Sequence, residues 1–87
     1  MALGGFFGRG ATVIDEKTGK SHSPGVFGEF VTYGDLGKYI RDEFGIPVIA
    51  MHDPRGNLRL GSDKFDSPQF VVVHLGGGVF QRFLLAY

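Results

Sequence analysis

The sequence predicts an α+β fold: five to six short, mainly antiparallel strands with one capped helix, at about residues 33–44, packed on one face. Three observations lead there. Only one segment combines helical periodicity with a start and a stop signal. Around it, short apolar segments are cut at close intervals by turns that contain Gly or Pro. Of the 87 residues 43% are hydrophobic, yet no apolar run approaches the roughly 18 residues of a membrane span. A chain of this length makes one domain, 1–87, and buries only roughly 60–65% of the surface its unfolded form exposes.

Taken in chain order, residues 10–16 carry the β-branched run Ala-Thr-Val-Ile and lead into Lys17-Thr18-Gly19-Lys20. This reads as a strand entering a hairpin turn in which Gly19 supplies a positive φ. Residues 21–25 read as loop, punctuated by Pro24-Gly25. Residues 26–31 alternate and predict a second strand. Thr32 then stands as an N-cap, with Asp35 three residues on as the returning half of a capping box. Tyr33, Leu36, Ile40 and Phe44 recur at helical spacing, Lys38 and Asp42 can pair at i, i+4, and Gly45 before Ile46-Pro47 is a stop. Gly34 and Gly37 each cost this helix roughly 1 kcal/mol against Ala, which predicts a close approach of another segment. Residues 47–61 form a hairpin around Asp53-Pro54-Arg55-Gly56-Asn57, where Pro presets φ and Gly takes the left-handed position. Residues 62–68 are polar loop around Phe65. The continuous apolar run 70–74 reads as a central strand buried on both faces. Residues 79–87 fit a strand or a short helix; Phe, Val and Tyr favour the strand.

Composition sets the outer bounds on function. Nine Lys plus Arg balance nine Asp plus Glu, so nucleic acid held by bulk positive charge is not favoured. Zero net charge also removes the self-repulsion that opposes association. With no Cys there is no disulfide framework and no thiolate nucleophile or metal ligand. The first residues lack the basic leader and apolar stretch of a signal peptide, so a cytoplasmic protein with no membrane segment is expected.

Four constellations carry candidate chemistry. Gly76, Gly77 and Gly78 follow a buried strand; their backbone N–H groups could cradle an anion such as a nucleotide phosphate, with Arg82 as the nearby cation. The Lys-Ser/Thr of a P-loop is missing, and the same glycines serve equally as a bulge over a crowded core. His22, His52 and His74 could meet with Asp53 and Asp63 around a metal, although no two histidines have metal-ligand spacing. His52, Arg55, Arg59 and His74 could form a ribonuclease-like set of base and phosphate-holding cations. Finally, Phe6, Phe7, Phe27, Phe30, Phe65, Phe80, Phe83 and Tyr87 exceed what one helix on a short sheet readily buries. Any surplus left outside marks a partner surface.

The run Gly28-Glu29-Phe30-Val31-Thr32-Tyr33-Gly34-Asp35-Leu36 resembles the strand-to-helix passage of the alkyltransferase and alkyltransferase-like DNA-binding family. The Pro-Cys-His-Arg motif of that family has no counterpart here, and a Pro-Arg-Gly-Asn turn stands where its DNA-binding helix would continue. The resemblance therefore implies only a way of capping a helix after a strand, and no site residue is carried over.

These readings lead to an expected function. It is a small non-catalytic interaction module without cofactor or metal, self-associating (a dimer above all) and docking on a partner protein. Phe6, Phe7, Phe83, Leu85 and Tyr87 are the expected interface. The alternatives are a small anionic ligand or nucleotide on Gly76, Gly77, Gly78 and Arg82, and a small ribonuclease-like enzyme.

Overall fold

Thr32 starts the helix, as its position implies. In the computed structural model of the chain, which describes residues 11–24 and 29–87, helix α1 runs Tyr33–Phe44. Both halves of the capping box form: the Thr32 hydroxyl accepts from the Asp35 N–H, and the Asp35 carboxylate accepts from the Thr32 N–H at 3.0 Å. Gly45 closes the helix at φ 67°, donating its N–H to the Arg41 carbonyl. Lys38 and Asp42 pair at 2.7 Å on the outer side.

The described residues also form six strands: β1 Thr12–Asp15, β2 Ser21–His22, β3 Ala50–His52, β4 Leu58–Arg59, β5 Phe70–Gly76 and β6 Val79–Ala86. They make one antiparallel sheet in the order β2-β1-β6-β5-β3-β4. The C-terminal β6 is thus inserted between β1 and β5, and the chain's two outer segments meet in the middle of the sheet. Residues 79–86 are strand rather than helix, and the turns at Gly19 (φ 79°) and Gly56 (φ 85°) fall where their residues predict.

Two strand expectations need correction. Glu29 and Phe30 lie outside regular structure, and Thr32 makes only an isolated bridge to Lys64; residues 25–28 lie outside the described residues. Among the described residues the strand that precedes the helix is Ser21–His22, in the segment read as loop. The reason is packing: Phe30 enters the core from coil, edge-on to Phe65 at 5.6 Å and to Tyr39 at 5.4 Å. The third strand also starts later than expected, at Ala50.

Helix α1 covers one face of the sheet. Tyr33, Leu36 and Ile40 pack with Val13, Met51, Val71, Val73, Phe83 and Leu85, and Phe30 and Phe65 close the margin. Phe44 sits edge-on to Phe83 at 5.1 Å. Gly34 permits the loop after β4 to lie directly on the helix, its N–H donating to the Gly61 carbonyl at 2.9 Å. The expectation that β5 is buried on both faces is not met: Val71 and Val73 are sealed, while Phe70, Val72 and His74 on the other face are half-buried. Among the described residues, no helix is long and apolar enough to cross a membrane.

Candidate functional site: the uncovered sheet face

Among the described residues helix α1 covers one face of the sheet and nothing covers the other, and strand alternation and register determine what this uncovered face presents. One cross-strand row runs Ile14, Leu84, Phe70; a second runs Arg82, Val72, His52, Leu58; a third runs Phe80, His74, Ala50. Most of these side chains are apolar. Phe80, in the row nearest the β5–β6 turn, is 54% accessible, with its ring stacked on His74 at 4.6 Å and an interplanar angle of 13°. The His52 ring lies 6.2 Å from the same ring, tilted by 57°. The Nε2 of His74 is closed off from solvent and has no hydrogen-bond partner.

The charge on this face is compensated locally. Arg82 holds Glu16 through both oxygens, each at 2.8 Å, and its guanidinium lies 4.8 Å from the centre of the Phe70 ring. The hydrogen bond from Arg82 holds the Glu16 carboxyl below its ordinary range, and the Arg82 guanidinium is correspondingly raised. A shallow hollow of about 400 Å³, lined by Glu16, Lys17, Val72, Phe80, Gln81 and Arg82, opens here.

Phe83 and Leu85 lie on the opposite, helix-covered face, 0% and 6% exposed. Both are core side chains of the folded chain, so of the expected interface residues these two are placed under α1. Tyr87 is 57% exposed and donates its hydroxyl to the Pro68 carbonyl at 2.6 Å. Phe6 and Phe7 lie outside the described residues. The exposed position missing from the expected interface is Phe80. Its signal was present, since strict alternation puts it out of phase with Phe83 and Leu85.

Gly76, Gly77 and Gly78 form the β5–β6 turn. Gly77 and Gly78, at φ 61° and 76°, make a two-residue connection of the type whose twist suits a hairpin, between the paired Gly76 and Val79. A bulge between His74 and Gly76 precedes it, with Gly76 at φ 104°. These conformations are accounted for by the turn. Arg82 is four residues further along β6, about 13 Å away at the usual strand rise, and is occupied by Glu16.

The histidine and aspartate candidates separate. His52 and His74 share the uncovered face, whereas His22 is on the helix side, edge-on to Phe44 at 4.7 Å and 3.6 Å from Glu43. Asp53 and Asp63 gather instead on Arg59, at 3.1 and 3.6 Å, together with Asp66 at 3.2 Å. Arg59 pairs across from the buried Met51 and stacks over the Tyr33 ring at 4.5 Å, so it too is on the helix side. The ribonuclease-like set is thus split by the sheet: two imidazoles on one face, Arg59 on the other, and Arg55 exposed in the turn between β3 and β4. Among the described residues, no three His, Asp or Glu side chains are placed to hold a metal.

This architecture defines a small α+β domain, a six-stranded antiparallel sheet with a helix on one face. Compared with known proteins, the chain matches no family model, no curated protein and no solved structure.

Proposed function

We propose that the chain is a non-catalytic interaction module that self-associates through the uncovered face of its sheet. The observation that carries this reading is the position of Phe80, half-exposed and held against His74 on a face that also presents Ile14, Leu84, Phe70, Val72 and Leu58. An exposed apolar surface of this kind marks a contact site. The occupant that fits is a second copy of the chain. The Arg82–Glu16 pair neutralises itself and the chain as a whole has zero net charge, so two copies meet without repulsion. A two-fold contact lets each Phe80 pack on its partner's sheet, as in aligned sheet-on-sheet packing about 10 Å apart. The edges of the sheet are poorer contact sites. β2 and β4 are two residues each, and the N–H of Leu60 just beyond β4 is taken by the Asp63 carboxylate at 2.7 Å. Lack of Cys supports a cytoplasmic setting for this assembly.

Multi-angle light scattering at tens of micromolar tests the reading. The expected mass is twice the 9.5 kDa of one chain. A mass of one chain at that concentration overturns it. A larger complex that forms only with a cellular protein would reassign the face to a different partner.

A further inference from the structure

Two imidazoles lie near the Phe80 ring in the proposed contact, one stacked on it at 4.6 Å and one tilted at 6.2 Å. We propose that His52 and His74 make self-association pH-dependent, the paired state requiring both imidazoles neutral and coming apart when they are protonated. This rests on the self-association reading above. Histidine is the side chain whose charge ordinarily changes between pH 5 and 8, and transfer of a charge into an apolar contact is costly unless it is paired.

The neighbours offer no such pairing. His74 lies between Ala50 on β3 and Phe80 on β6, and its Nε2 already has neither solvent nor a hydrogen-bond partner. His52 lies between Val72 on β5 and Leu58 on β4. Arg82, one strand beyond Val72, is neutralised by Glu16 and supplies no negative charge to an imidazolium. Lys17, which lines the same hollow, is a cation and supplies none either. The carboxylate in that region, Glu16, is already held by Arg82 through both oxygens. Asp53 follows His52 in the chain, but its carboxylate is directed to Arg59 and to the N–H groups of Arg55 and Asn57. His22 and Glu43 are on the opposite face and do not enter the contact.

The sign follows. Association excludes the proton, so it is strongest at neutral pH and weakens in acid.

Sedimentation velocity on a dilution series at pH 7.5 and pH 5.5, with circular dichroism to follow folding, tests this. The dissociation constant of the wild-type chain is expected to rise at least about tenfold at pH 5.5 with the fold retained. A His52→Gln, His74→Gln double variant, neutral at both pH values, is expected to associate equally at both. Each single variant is expected to lose part of the shift, which keeps the test open should the double variant fold poorly. A wild-type dimer equally tight at both pH values overturns the pH dependence and leaves self-association standing. A full shift retained in the histidine variants also overturns it. A single chain at both pH values overturns both proposals.

Discussion

Gly34 and Gly37 lie on the same helix one turn apart, and the space beside each differs. A Cβ on Gly34 would come within 2.8 Å of the Gly61 carbonyl oxygen, a backbone atom that cannot swing away. A Cβ on Gly37 would meet Val48 and Met51 side chains at 3.6 and 3.7 Å, ordinary contact distances. Urea denaturation should therefore show Gly34→Ala destabilised by about 1–3 kcal/mol through overpacking. Gly37→Ala should be stabilised by about 0.5–1 kcal/mol through lower unfolded-state entropy and better helix propensity. The two glycines look equivalent in the sequence and both predict a close approach; only Gly34 has one, because the deciding atom belongs to Gly61, remote in the chain. In the β5–β6 turn a Cβ at Gly77, φ 61°, would meet nothing within 4 Å beyond its chain neighbours, so the backbone conformation decides what the position accepts. Asn, which tolerates this conformation, should leave the melting temperature nearly unchanged. Val should lower stability by at least about 1–2 kcal/mol.

The helix was legible as a whole element, because caps and period act within a few residues of one another. Loss of the cap in Thr32→Ala should cost about 1 kcal/mol, and loss of a sealed side chain in Leu36→Ala about 2–5 kcal/mol, both by equilibrium denaturation. The short strand Ser21–His22 was not legible: two polar-flanked residues carry no period, and only pairing with β1 makes them a strand. Nor could local pattern show that the polar loop 62–68 is tied down by charge. The Tyr33 hydroxyl and the Arg59 guanidinium outweigh burial and hold the Asp66 carboxyl below its ordinary range. At Asp53 burial works the other way, but the N–H groups of Asn57 and Arg55 and the Arg59 side chain prevail and lower it. Groups lowered in the folded state contribute stability above their unfolded value, near 3.9 for Asp, and lose it as pH falls through the folded value. The urea midpoint should therefore drop between pH 5 and pH 3, and Arg59→Gln should make that drop smaller. An equal drop in the variant would show that Arg59 does not hold these carboxylates.

At the scale of the molecule, antiparallel strands and a single covering helix were readable, but the strand order was not. Insertion of β6 between β1 and β5 depends on pairs such as Val13 with Leu85, which no local periodicity encodes. The run 70–74 is apolar enough for burial on both sides, yet the helix reaches only one. That mismatch between apolar sequence and one-sided cover is what sets Phe80, Val72 and His74 apart as contact residues rather than core. β6 itself provides the comparison, since Phe80 and Phe83 are on opposite faces of one strand. Phe83→Lys should unfold the chain, because it buries an unpaired charge under α1. Phe80→Lys should leave the fold intact, since its ring is half-exposed. The decisive measurement is sedimentation equilibrium of Phe80→Lys beside the wild-type chain at neutral pH, with circular dichroism confirming that both are folded. The expected result is a folded single chain of 9.5 kDa for Phe80→Lys and twice that mass for the wild type; a folded Phe80→Lys chain that still sediments at the wild-type dimer mass would contradict self-association through this face.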